Sequence, residues 1–194
     1  MNSIIKFILF ATLASVIVCD WHKGGCPTIK RPQEAKFDLN QYLGKWYSIA
    51  TSKSFGAKKG ECSTADYSIR DDGSIRVFNA ELLADGTINS VDATAYQNPS
   101  DSFKLGIKFS KFQPDWLLAD YEIVETDYTN YALIYCCTNL FLARKETVFI
   151  LSRTPVMEEK SLERLFKKLD SDFDLKRETI GFEDQSQERC HRSG

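Results

Sequence analysis

Asp38-Leu39-Asn40-Gln41-Tyr42-Leu43-Gly44-Lys45-Trp46-Tyr47-Ser48-Ile49-Ala50 is the stretch from which the rest of the chain is best read. A polar-led turn over residues 38–43 meets Gly44, which opens a strand with a large aromatic two positions later. A glycine here permits a backbone geometry or close approach that a Cβ would obstruct. Side chains alternate across a strand, so Trp46, Ser48 and Ala50 fall on one face and Tyr47 and Ile49 on the other. One large ring followed by small residues describes a strand plugged at one end and roomy at the other. A closed sheet around an internal cavity needs that. A Trp in an ordinary β-sandwich core would read the same way in isolation, so the decision lies in the surrounding chain.

Working outward, residues 51–61 form a Gly-, Lys- and Ser-bearing loop too long for a tight hairpin. Strands are predicted at 62–70, 74–83, 87–97, 103–109, 119–125, 131–139 and 148–154. Asp71-Asp72-Gly73, Ala84-Asp85-Gly86 and Asn98-Pro99-Ser100-Asp101 are turn sequences between them, and residues 112–118, with Pro114, form a longer apolar loop. With the Trp46 strand this makes eight short strands, turns between nearly every pair, and hence an all-β antiparallel meander. Beyond Pro155, Leu162, Leu165, Phe166 and Leu169 recur at helical spacing, with acidic residues leading and basic ones following on the polar side. That polar side carries both signs, which favours packing on the sheet over lying on a membrane. Residues 174–180 could add a short edge strand, and 185–194 form a polar tail holding Cys190.

The chain has 194 residues, enough for one well-formed domain, and a net charge of −2, which gives no electrostatic reason to expect nucleic acid or an anionic membrane as partner. Residues 1–19 read as a secretory signal: Lys6 is the early charge, a short apolar run follows, and polar Asp20 to Lys23 succeed it. An uncleaved anchor is the alternative, disfavoured by the run's length. Residues 20–194 are then a single domain in the extracellular fluid. Cleavage is placed after Cys19, with Ala14 or Ser15 as weaker sites, and leaves Cys26, Cys62, Cys136, Cys137 and Cys190, of which four can pair in an oxidising compartment. Adjacent Cys136 and Cys137 point to opposite faces of one strand. His22 and His191 lie near the ends and no metal spacing occurs, so neither a metal site nor a cofactor is expected.

Three separated features fit together: Gly44-Lys45-Trp46, Thr126-Asp127-Tyr128 with Asn130-Tyr131-Ala132, and Arg153 before the helix. In this order and spacing they resemble the three signature regions of the lipocalin family. Residues 81–87, 108–110 and 131–135 are similar to its apolipoprotein D-like branch, with insect and crustacean members. The resemblance implies an eight-stranded up-and-down antiparallel barrel, open at one end, sealed near Trp46, with one C-terminal α-helix packed on its side. Gly44, Trp46, Thr126, Asp127, Tyr128 and Arg153 are structural in this reading, with Arg153 stacked on the indole and Asp127 holding its turn. The resemblance also implies the disulfides Cys26–Cys137 and Cys62–Cys190, leaving Cys136 unpaired and facing inward.

Inward phase toward the open end selects the ligand candidates Tyr67, Val77, Asn79, Leu105, Ile107, Phe109, Tyr121, Ile123, Phe149 and Leu151. Tyr67 matches a pocket tyrosine of the family. The set is mostly apolar with a few polar handles, as small-molecule sites are. Trp116, Leu117 and Leu118 are placed near the mouth, to touch ligand, a membrane surface or only their own loop. The family implies noncatalytic carriage of a small hydrophobic molecule: a fatty acid or other lipid, a steroid or retinoid, or a pigment such as a bilin or carotenoid. Two other readings are weaker. A thiol-dependent isomerase would use Cys136 but lacks an evident base, and an amine-binding pocket would need inward carboxylates, with Glu81 and Glu125 as candidates. The residues specify neither a receptor nor a homodimer.

Overall fold

The computed structural model describes residues 21–32, 34–53 and 60–190. The predicted signal at 1–19 and most of the loop expected at 51–61 lie outside them. Ten strands form one antiparallel sheet: β1 (Trp21–Lys23), β2 (Gly44–Ser52), β3 (Glu61–Ile69), β4 (Ile75–Leu82), β5 (Ile88–Gln97), β6 (Lys104–Lys108), β7 (Ala119–Thr126), β8 (Tyr131–Leu140), β9 (Ala143–Ser152) and β10 (Ile180–Phe182). From β2 to β9 each strand pairs with the next, and β9 returns to β2. That closure makes an up-and-down barrel of eight strands, with β1 added on β9 and β10 on β2. The helices are α1 (Leu39–Tyr42), α2 (Glu159–Phe173) and α3 (Gln187–Cys190). Among the described residues, no helix is long and apolar enough to cross a membrane.

The turns follow from their residues. Asp72 accepts hydrogen bonds from the Ser74 amide (2.9 Å) and hydroxyl (2.6 Å) across Gly73, whose φ is +81°. Asp85 repeats the arrangement with Thr87 across Gly86. These Asx turns fix the register of the β3–β4 and β4–β5 hairpins.

Alternation along the strands divides the apolar side chains into two cores. The inner one holds Trp46, Tyr67, Ile75, Val77, Leu105, Ile107, Ile123, Ile134 and Leu151. The outer one lies between the barrel wall and α2, where Leu165, Phe166, Leu169 and Phe173 bury against Leu133, Tyr135, Val148 and Ile150. The helical stripe expected from the sequence is therefore the face packed on the wall, extended by one turn to Phe173. Basic residues do not close the helix as the pattern had suggested: its last turn carries Asp170 and Asp172, and Lys176 just beyond pairs with Asp170.

β2 departs from simple alternation. Its pairing with β9 slips between Ser48 and Ala50, so Ser48 stays inward with Trp46 while Ile49 and Ala50 both join the outer core. An extra residue in one strand of a pair reverses the facing of those that follow, and Ala50 is moved off the Trp46 face. β2 also parts from β3 after Tyr47↔Thr64. The C-terminal tail fills that seam. β10 pairs with Ala50 to Ser52, the Glu183 amide donates to Ile49 O (3.0 Å), and the Cys62 amide donates to Asp184 O (3.0 Å). The Gln185 side-chain amide donates to Ser48 O (2.9 Å) and Ser63 O (2.8 Å), one on each side of the gap. The edge strand expected at 174–180 thus begins where it had been expected to end.

Two disulfides fasten the ends of the chain to the barrel: Cys26–Cys137 ties the lead-in to β8, and Cys62–Cys190 ties the tail to β3. Glu146, buried on the outer face of β9, is compensated by Arg144 Nε (2.8 Å), His22 Nε2 (3.1 Å) and the Tyr135 hydroxyl. A buried carboxylate needs such partners, and here they hold β1 in place.

Candidate ligand-binding site

The closed end is built around Trp46, which is fully buried and donates its indole N–H to Tyr42 O (2.8 Å). Gly44 holds φ +90°, and a Cβ there would lie 3.6 Å from Arg153 Nη1. Arg153 covers the indole and donates to Tyr128 O (2.9 Å), Lys45 O (3.0 Å), Gln41 O (2.9 Å) and Tyr42 O (3.2 Å). Asp127 accepts from the amides of Thr129, Asn130 and Tyr131 at 3.2, 2.8 and 3.0 Å. Thr126 Oγ1 accepts from the Tyr128 amide (2.9 Å) and donates to Tyr131 O (2.7 Å). All six signature residues shape this end and its turns, away from the cavity.

Above Trp46 three tyrosines form a floor. Tyr121 Oη lies 2.8 Å from both Tyr42 Oη and Tyr67 Oη. Burial drives all three phenol pKa values up, Tyr67 to about 12, so each remains a neutral hydroxyl. Two hydrogen bonds among three hydroxyls use two protons. The third can point from Tyr67 into the cavity and meet a ligand acceptor.

The cavity over this floor has a volume of about 390 Å³ and opens at the end opposite Trp46. Of the ten residues expected to line it, Tyr67, Val77, Asn79, Ile107, Phe109, Tyr121, Phe149 and Leu151 do so. Leu105 and Ile123 also face inward but sit in the packed core and do not line the cavity. The wall includes side chains that the sequence reading left out of the ligand set. Ser63, Ala65, Asn89, Val91 and Thr147 follow from strand alternation and were legible in principle. Glu183 was not, because it reaches the wall from the tail through the β2–β3 seam, where the Ser48 hydroxyl donates to it.

Glu81 lines the cavity, with its carboxylate held by the Gly60 amide (2.9 Å) and Asn89 Nδ2 (2.8 Å). Glu125, the other carboxylate considered for an amine, lies outside the cavity and pairs with Arg164 (2.6 Å) and the Tyr131 hydroxyl (2.5 Å). Cys136 is a free thiol on the cavity wall. Burial, helped by the nearby Asp120 and Glu122 charges, pushes its pKa up to about 12. The thiolate that nucleophilic chemistry requires is therefore suppressed at neutral pH. Among the described residues, no group of three or more metal-ligating side chains occurs.

The β6–β7 loop and the β8–β9 turn carry large apolar residues in solvent: Phe112 is 85% exposed, Trp116 83% and Phe141 100%. Trp116 and Leu117 lie in a 3₁₀ turn and do not line the cavity, while Leu118 packs against Gly106.

Comparison with solved structures places the fold among known barrels. Insecticyanin from the tobacco hornworm Manduca sexta superposes with a TM-score of 0.72 at 23% identity, covering 88% of this chain and 91% of that one. Apocrustacyanin C1 gives 0.72 at 22% identity, covering 86% and 92%. At these identities the likeness concerns the fold alone. In sequence, the chain is 38% identical over 163 residues to apolipoprotein D of Cavia porcellus, which spans 82% of this chain and 83% of that protein. It is 41% identical over 139 residues to apolipoprotein D of Bos taurus, spanning 71% and 70%. Residues 37–177 match the family described as Lipocalin-like domain, and the chain belongs to the lipocalin family.

Proposed function

We propose that this chain is a secreted, noncatalytic carrier of a small hydrophobic molecule, held in the barrel cavity by Tyr67, Val77, Asn79, Ile107, Phe109, Tyr121, Phe149 and Leu151. The observation that carries the reading is the cavity: about 390 Å³, walled mainly by apolar side chains, closed at one end by Trp46 and open at the other. That volume lies within the range of small-molecule sites. Removing a ligand's apolar surface from water supplies about 25 cal/mol per Å². The hydroxyls of Tyr67 and Tyr121 and the amide of Asn79 then orient its polar atoms. The similarity to apolipoprotein D supports the same reading. The paired cysteines suit an oxidising compartment. In keeping with it, residues 1–19 act as a secretory signal and 20–194 as one domain. The high pKa of Cys136 speaks against thiol catalysis.

Native protein purified from its source and extracted with organic solvent should release a stoichiometric small apolar molecule detectable by mass spectrometry. An absorbance scan before extraction sorts the class: a strong visible band replaces a colourless lipid by a pigment. Protein that yields no bound molecule and takes up no apolar probe would overturn the carrier reading.

A further inference from the structure

On the carrier reading, the tyrosine floor adds a rule for which end of the ligand enters first. We propose that Tyr67 and Tyr121 present one unspent O–H donor to the cavity, which therefore selects apolar molecules with a terminal carbonyl and seats them carbonyl-first against the floor. Three neutral hydroxyls carry three protons, and the two hydrogen bonds among them, 2.8 Å each, both run through Tyr121. Tyr42 and Tyr67 also influence one another, but the close contacts of the floor are those two. Tyr42 is fully buried and off the cavity wall, its ring packed on Phe37, Trp46 and Tyr67. Its proton is therefore spent on Tyr121, since a buried donor left unmade is costly. Tyr121 then either passes its own proton to Tyr67, leaving the Tyr67 O–H over, or accepts from Tyr67 as well and keeps its own. Both residues line the cavity, so in either arrangement one donor is left to face it.

Beside the floor the wall is apolar. Val77 stands opposite Tyr67 across the β3–β4 pair, and Ile107 and Leu151 line the same cavity. A hydrogen bond in such surroundings is stronger than in water, and an unmade one correspondingly more costly. A ligand carbonyl supplies an acceptor and no proton of its own, which completes the chain of hydroxyls. A hydrocarbon end leaves the O–H buried without a partner, and an ammonium end brings only further donors. Asn79, the next inward residue after Val77 on β4, sits one step nearer the mouth and is the rival donor.

The test is a pair of ligands of equal shape, 2-acetylnaphthalene and 2-isopropenylnaphthalene, in which a methylene replaces the carbonyl oxygen. Each is titrated against the uncharged fluorescent probe N-phenyl-1-naphthylamine bound to the wild-type chain. Leaving water costs the ketone more, so a cavity without a free donor takes the alkene more tightly. The floor should reverse that order, with the ketone displacing the probe at about fivefold lower concentration. In the double variant Tyr67→Phe, Tyr121→Phe the alkene should become the tighter ligand. Asn79→Ala, which leaves the hydroxyls in place, is the second variant: a ketone preference lost there would give the donor to that amide and overturn the assignment. Alkene binding to the wild-type chain as tightly as ketone, or a ketone preference that survives in the folded double variant, would overturn it as well, with the carrier reading left standing. Failure of both compounds to displace a bound probe sinks the carbonyl rule alone. If the probe does not bind either, both readings fall together.

Discussion

Arg153 sits over the Trp46 indole with Cζ 3.7 Å from the ring centroid, and its guanidinium reaches the main-chain carbonyls of residues 41, 42, 45 and 128. One side chain thus joins the last barrel strand, the first helical turn and the β7–β8 turn over the barrel's closed end. Lysine cannot reproduce this, since its ammonium lacks the planar fork of donors. Arg153→Lys should lower stability by about 1–3 kcal/mol, seen as a lower urea midpoint with an unchanged slope. The cavity lies beyond the Trp46 ring, so apolar-probe affinity should stay near that of the parent at temperatures where the variant is folded.

Tyr121 is the hub of the floor, its hydroxyl shared by Tyr42 and Tyr67. Tyr121→Phe leaves both of those buried hydroxyls short of a partner, whereas Tyr42→Phe breaks one contact. The first should cost about 1–3 kcal/mol and clearly more than the second, as measured by chemical denaturation. Equal losses would show that the hydroxyl chain is not organised through Tyr121.

Cys136 should resist alkylation by iodoacetamide at pH 8 while the protein is folded, because burial holds its pKa at about 12. In a chain prepared without residues 1–19, unfolding in denaturant should expose it to a single addition, read by intact mass without reduction, since the other four described cysteines are paired. Rapid modification of the folded protein would revive a chemical role for the thiol.

The two disulfides should be unequal in their effect on binding. Each closes a long loop, with sequence separations of 111 and 128 residues, and removing either should cost about 2–4 kcal/mol. The pair Cys62→Ser, Cys190→Ser also loosens the tail that carries Glu183 and fills the β2–β3 seam. It should therefore weaken ligand affinity, while Cys26→Ser, Cys137→Ser should not. A displacement titration on both variants checks this.

Asp127 supplies an acid-sensitive contact. Burial works to raise its pKa, but donors from Tyr131, Asn130 and Thr129 outweigh that and hold it below the ordinary 3.8. A carboxylate whose folded pKa is depressed stabilises the fold above its unfolded value and loses that contribution as pH falls through the folded one. Stability should drop as pH is lowered below about 4, and Asp127→Asn should be less stable at neutral pH by about 1 kcal/mol with a flatter acid limb. An identical acid limb in the variant would assign the loss elsewhere.

Much of this architecture was legible in the residue order. Period-two alternation found the inner faces of β3, β4, β6 and β9, and the Asp-Gly turns marked the hairpin boundaries, because both patterns depend on near neighbours. The same logic failed at Ala50, where one extra residue in β2 reverses the facing, and a bulge leaves no mark in composition. It ranked Leu105 and Ile123 with the ligand contacts, because alternation gives the face of a strand but not the depth along the barrel at which packing ends and the cavity begins.

By itself, then, the sequence determined the eight-stranded closed sheet, the helix on its flank, the indole at its base and the inward thiol, since each follows from spacing, side-chain chemistry and family resemblance. Only the tertiary structure decided that the tail wedges between β2 and β3, that Glu183 joins Glu81 on the cavity wall while Glu125 stays outside, and that Tyr42 enters the floor. Those placements bring together residues up to 137 positions apart, Ser48 and Gln185 among them. The physical reason is that such contacts depend on how the closed sheet opens locally and which distant donors fill the gap, and no local pattern encodes that.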